Sequence, residues 1–103
     1  MVTETAINIA KSYVAQLPRE MAVKKAYLFG SYARGTQSDS SDIDVAIIIG
    51  SMNDIFDLQM EMLRIRRKID LRIEPHPIKE KDFSPLNPFA DEIMRSGIEI
   101  FNE

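Results

Sequence analysis

A chain of 103 residues, 45% hydrophobic and 28% charged, can build one compact core and leaves no room for a second domain of ordinary size. Its formal net charge of −3 excludes the surplus of Lys and Arg that neutralises a nucleic-acid backbone, so no direct nucleic-acid partner is expected. The absence of cysteine removes disulfides and thiolate metal sites, and with no apolar run near the ~20 residues that span a bilayer and no secretory h-region, a cytoplasmic, membrane-free protein is expected.

From Thr3, placed to cap a first helix, Ile7, Ala10, Val14 and Leu17 recur at helical spacing until Pro18 stops the run. Residues 23–29 then read as a buried strand, because Ala26 to Phe29 form a short apolar run with an aromatic pair, bounded by Gly30. Ser31 can open a short helix, and residues 37–41 form a polar loop. Ile43 to Ile49 is apolar on both faces after its first residues, the pattern of a central strand. A turn is predicted at 50–53. A helix over about 54–68 follows, with Ile55, Leu58, Met62 and Ile65 on one face, acids at its start and Arg64, Arg66, Arg67 and Lys68 at its end, as the helix dipole favours. Met62 is expected in the core, and Met60 at its edge or in a partner contact.

The alternation from Ile69 to Glu74 predicts a third strand that carries Asp70 opposite Ile69 and Leu71 and stops at Pro75-His76-Pro77. An extended connection then leads to Asn87-Pro88, which has the form of an N-cap and first helical residue, with Gly97 as the residue past the helix end and a short strand over 98–101. Helices alternate with strands throughout, which implies one sheet covered by helices.

Three fragments carry candidate chemistry. Gly30-Ser31, at a strand-to-helix turn, can offer backbone N–H groups and a hydroxyl to phosphate, or can be an ordinary capped turn; the Lys of a P-loop is missing. Asp42 and Asp44, two apart at a strand mouth, point the same way and either hold a hard divalent cation or solvate a loop–strand junction. Asp70 either completes a carboxylate trio able to hold two metals or pairs with Arg72 at the surface. His76, the only histidine, reads as a loop-packing residue outside the site. Tyr13 and Tyr27 read as packing residues, and Tyr32 packs or lines the nucleotide pocket.

Gly30-Ser31, ten residues, Asp42-Ile43-Asp44 and a later Asp70 together resemble the nucleotidyltransferase superfamily related to DNA polymerase β. The short chain, the form Gly30-Ser31-Tyr32-Ala33-Arg34-Gly35 and the stretch Asp70 to Pro77 are similar to its minimal nucleotidyltransferase (MNT) branch, the antitoxins of HEPN/MNT pairs. The resemblance implies an α/β (α+β) fold, a polymerase β-like core with a single mixed sheet flanked by helices, filling residues 1–103 as one nucleotidyltransferase domain. It implies that Asp42, Asp44 and Asp70 are catalytic and bind Mg²⁺, that Gly30 and Ser31 hold the phosphates of ATP, and that Arg34 contacts phosphate or pairs structurally. It also implies a HEPN-type ribonuclease toxin as partner, neutralised by transfer of AMP to a tyrosine hydroxyl. The alternatives are transfer to a small-molecule hydroxyl and a non-catalytic antitoxin that acts by binding; homo- and hetero-oligomers both remain open.

Overall fold

The computed structural model describes residues 3–38, 41–50 and 54–103. The turn expected at 50–53 and the polar loop of 37–41 fall partly outside the described residues, at 51–53 and 39–40. Four strands, β1 (Val23–Phe29), β2 (Ile43–Ile49), β3 (Ile73–Lys79) and β4 (Ile98–Asn102), form one sheet in the order β3-β2-β1-β4. β1 runs antiparallel to β2 and β4, whereas β2 and β3 are parallel. Parallel neighbours need a crossover, here the helix α3 (Ile55–Ile65). The protein is thus a mixed α/β fold, one mixed sheet flanked by helices, as the sequence implied.

β2 lies in the interior of the sheet, and every residue from Val45 to Ile49 is buried. Its odd-numbered side chains pack with Leu28, Ile73, Met62 and the buried stripe of α1 (Thr3–Ala15), namely Ala6, Ala10, Tyr13 and Val14. The Tyr13 hydroxyl donates to the Met62 carbonyl at 2.7 Å and so ties α1 to α3 across this core. Ala46 and Ile48 face the other way, with Tyr27, onto Ile93 of α4 (Pro88–Ser96). Asn87 caps α4 by accepting from the Phe89 and Ala90 N–H groups, and Pro88 occupies the first turn as predicted. Among the described residues no helix is long and apolar enough to cross a membrane.

Two local expectations are corrected, and a third holds for a different physical reason. Thr3 lies inside α1 and its hydroxyl donates to the Tyr32 carbonyl at 3.3 Å, linking two helices. Gly97 does follow the helix end at Ser96, but with an ordinary φ of −78°; it is required for space, since a Cβ there would strike the Ile93 carbonyl. The third strand starts at Ile73 and runs through Pro75 and Pro77 to Lys79. Proline lacks only one donor, and β3 is an edge strand; prolines at alternate positions there place the missing N–H groups on the open edge and leave the bonds to β2 intact. The prolines also blunt that edge against pairing with a foreign strand.

Candidate active site

β1 ends at Phe29, and Gly30 turns the chain into the four-residue helix α2 (Ser31–Arg34) with φ +76° and ψ −150°. L side chains rarely adopt that φ, and a Cβ built on Gly30 would fall inside the van der Waals shell of Asp44 Oδ2. The first N–H groups of so short a helix have no partner within it. Register explains the closeness, because Phe29 is the β1 partner of Asp44.

Asp44 is the second residue of β2 and lies on the α4 side of the sheet, with its side chain 26% exposed. Its Oδ1 is 3.2 Å from His76 Nε2. In the parallel register of β2 and β3, Asp44 stands beside Glu74 and Ala46 beside His76, which puts Glu74 and His76 on the face that carries Asp44. The His76 ring meets Phe29 edge-on at 5.0 Å, and Phe89, at the start of α4, closes the group at 5.5 Å from Phe29. Like charges side by side on neighbouring strands repel. Glu74 is compensated by Arg66, 3.6 Å away, whose guanidinium also donates to the Ile73 carbonyl. Asp42 sits exposed just before β2.

The other expected residues are placed differently. Asp70 lies in the turn before β3. Its Oδ1 accepts from the Arg72 N–H at 2.9 Å and from Arg72 Nε at 3.0 Å, and its Oδ2 from Arg72 Nη2 at 2.6 Å. The Arg72 guanidinium holds this carboxyl below the ordinary aspartate range, against the upward push of burial. The expected cluster of Asp42, Asp44 and Asp70 is therefore not assembled: among the described residues no group of three or more His, Cys, Asp or Glu is gathered to hold a metal. Arg34 is half-exposed and 3.9 Å from Glu92 of α4, a surface pair of little energetic weight. Tyr32 is 0% exposed in the core and does not line the site.

Glu74, which sequence reading did not single out, and His76, which it set outside the site, stand on the face that carries Asp44. Their signal was parity: once the strand runs from 73 to 79, 74, 76 and 78 share one face, and the acid nearest the strand mouth is Glu74. Asp44 and Asp42 offer carboxylate oxygens, the chemistry a hard cation takes, and Glu74 stands next to Asp44 in register, but Glu74 is paired with Arg66 and these acids too are not gathered into a three-ligand group.

A protein family described as polymerase beta, nucleotidyltransferase, matches residues 10–103. MJ0435 of Methanocaldococcus jannaschii, an inferred protein adenylyltransferase, is 38% identical over 98 residues, which cover 91% of this chain and 97% of that protein. MJ0141 of the same organism, another inferred protein adenylyltransferase, is 33% identical over 79 residues, covering 74% and 77%. The crystal structure of an inferred nucleotidyltransferase from Sulfolobus solfataricus superposes with a TM-score of 0.69 at 21% identity, over 98% of this chain and 84% of that one. A toxin–antitoxin structure with AMP-PNP gives 0.67 at 22% identity over 90% and 73%. The complex of a tri-AMPylated Shewanella oneidensis HEPN toxin with its MNT antitoxin gives 0.61 at 17% identity over 94% and 73%. At these identities the solved structures establish a shared fold.

Proposed function

The chain belongs to the polymerase beta nucleotidyltransferase family, and on that footing we propose that this nucleotidyltransferase is an antitoxin that moves AMP from ATP onto a tyrosine hydroxyl of a HEPN-type toxin. The observation that carries the reading is the packing of the Asp44 carboxylate against the Cβ-less Gly30 turn, which sets a cation ligand beside a phosphate cradle. Two kinds of relative support the acceptor: the M. jannaschii proteins inferred to adenylylate proteins, and the fold neighbours caught with AMP-PNP or with an AMPylated toxin.

In this reading Asp42 and Asp44 hold Mg²⁺, while the Ser31 hydroxyl and the N–H groups of α2 orient the triphosphate, with Arg34 free to leave Glu92 for a phosphate oxygen. Magnesium, when bound, supplies positive charge to the phosphate oxygens and lowers the pKa of the acceptor hydroxyl. The acceptor oxygen forms a bond to the α-phosphorus, the bond to the bridging oxygen breaks, and pyrophosphate leaves. The role that sequence reading gave to Asp70, a third Mg²⁺ ligand that helps activate the acceptor hydroxyl, is assigned in this reading to Glu74, which would also receive the acceptor proton: Glu74 stands beside Asp44 with Arg66 at 3.6 Å, whereas Arg72 bonds both oxygens of Asp70.

The test is transfer of label from α-³²P ATP with Mg²⁺ to the partner toxin. Wild type and Asp70→Asn label it, whereas Asp44→Asn and Glu74→Gln do not. No label from wild type, with toxin still neutralised by an Asp42→Ala, Asp44→Ala variant, overturns the reading in favour of neutralisation by binding. Labelling of a small hydroxyl compound without the toxin favours the small-molecule enzyme. Labelling by Glu74→Gln but not by Asp70→Asn returns the third position to Asp70.

A further inference from the structure

We infer that the outer face of α3 is the contact surface of a two-fold dimer of this chain. A surface helix ordinarily carries one apolar stripe. α3 turns Leu58, Met62 and Ile65 inward to the core, yet Phe56 is 70% and Met60 53% exposed, and Leu71, beyond the end of the helix, is 67% exposed. Phe56, Met60, Leu63 and Arg67 follow one another at steps of four, three and four, which is a single second stripe along the helix. Met60, Leu63 and Leu71 line a groove of about 570 Å³ with Arg64, Arg66 and Arg67. Exposed apolar surface of this kind marks a contact site.

The order of charges names the occupant. The first half of the helix is acidic, with Asp54 capping it and then Asp57; Glu61 in the middle pairs with Arg64 of the same helix, and the end is basic, with Arg64 and Arg67. Two copies laid antiparallel about a two-fold axis near Met60 and Leu63 bring each acidic half onto the other's basic end, while Met60 and Leu63 meet at the centre and Phe56 reaches the other copy's Arg67. A two-fold contact must be complementary to itself, and a helix graded from acid to base around an apolar middle meets that condition. A foreign partner would need a matching basic-then-acidic helix of its own, whereas a second copy already has it. The core side of α3 packs on the face of the sheet opposite Asp44, while Ile55 and Gln59 at its start border the groove that His76 and Phe89 line.

Sedimentation equilibrium of three versions of the full chain tests this. Wild type is a dimer. Asp57→Lys with Glu61→Lys, and separately Arg64→Glu with Arg67→Glu, each set like charges against each other, and each raises the dimer dissociation constant by roughly 100-fold or more. Mixing the two variants, one all basic and one all acidic on this face, restores a dimer. The cysteine-free sequence allows a second reading: Met60→Cys forms an inter-chain disulfide on mild oxidation, and Lys11→Cys on the exposed side of α1 does not. A monomeric wild type, charge-reversed chains that stay dimeric, or two monomeric variants that fail to pair on mixing overturns the inference. Should a charge-reversed chain unfold, the two cysteine variants decide, and equal cross-linking from both positions overturns it.

Discussion

The two faces of the sheet differ in what they ask of the same strand. On the α1–α3 face, Ile43, Val45, Ile47 and Ile49 are all 0% exposed and interlock with two helices. On the α4 face the same strand begins with Asp44 and only then turns apolar at Ala46 and Ile48, in a cluster of four buried residues edged by Phe29, Ile78 and Phe83. One face concentrates the apolar burial that stabilises the fold; the other gives up part of that burial to hold a carboxylate against Glu74 and the Gly30 turn. Alternation along a single strand is enough to separate stability from chemistry by one residue.

The largest effect should come from breaking that separation on either side. Asp44→Asn is expected to lower AMP transfer by about 10³-fold, since it removes the charge that attracts the cation. Its melting temperature should stay near wild type, since Arg66 already compensates Glu74 and an Asn side chain can keep the contact with His76. Ile47→Ala should do the reverse, destabilising by about 2–5 kcal/mol through the cavity it leaves, while the folded fraction keeps its turnover. Urea titrations paired with transfer assays measure both. An Asp44→Asn protein as unstable as Ile47→Ala would show that the two faces are not divided in this way.

A finer cut compares two glycines that share a positive φ but not a ψ, −150° at Gly30 and 19° at Gly35. Gly30 has φ +76° and Gly35 φ +75°, but only Gly30 faces an obstacle; nothing lies within 4 Å of a Cβ on Gly35. Gly35→Ala should therefore cost only the backbone term, about 1 kcal/mol, with transfer intact. Gly30→Ala adds displacement of the Asp44 carboxylate to a larger backbone cost, about 1–3 kcal/mol in a region that only glycine adopts readily, and should lower transfer by about 10²-fold. Equal activity in the two variants would remove the close approach of Gly30 to Asp44 from the account.

Much of this was legible in the residues. The helix–strand order, the central place of Ile43 to Ile49, the Asn87-Pro88 start of α4 and the adjacency of Gly30 to Asp44 all follow from patterns within a dozen or so residues. What was not legible depends on neighbours in space. Pro75 and Pro77 look like strand breakers until the strand is known to be an edge, and the misplaced boundary then shifts the reading from Glu74 to Asp70. The alternation of Ile69, Leu71 and Ile73 mimics a strand, yet Leu71 is exposed in a turn and only Ile73 is fully buried. Asp70 carries the right letter for a metal ligand, and of the two readings open to it the structure shows the ion pair, with both oxygens on Arg72.

That pairing yields the smallest of the expected effects and the sharpest distinction between the two acids near β3. Bonding from Arg72 keeps the folded Asp70 carboxyl below its ordinary range, so the folded state binds its proton less readily than the unfolded chain does. The pair then stabilises the fold fully above the ordinary aspartate pKa, and the contribution fades as pH falls through the depressed folded value. Asp70→Asn should melt a few degrees below wild type at neutral pH. The gap should narrow steadily as the buffer is taken below the ordinary aspartate range, and transfer at neutral pH should remain near wild type. The side chain is 17% exposed and Arg72 39% exposed, so solvent screening keeps the effect modest. A melting gap independent of pH would mean that Asp70 acts through the shape of its turn and not through its charge. Unchanged stability with lost transfer would move Asp70 from the fold to the site.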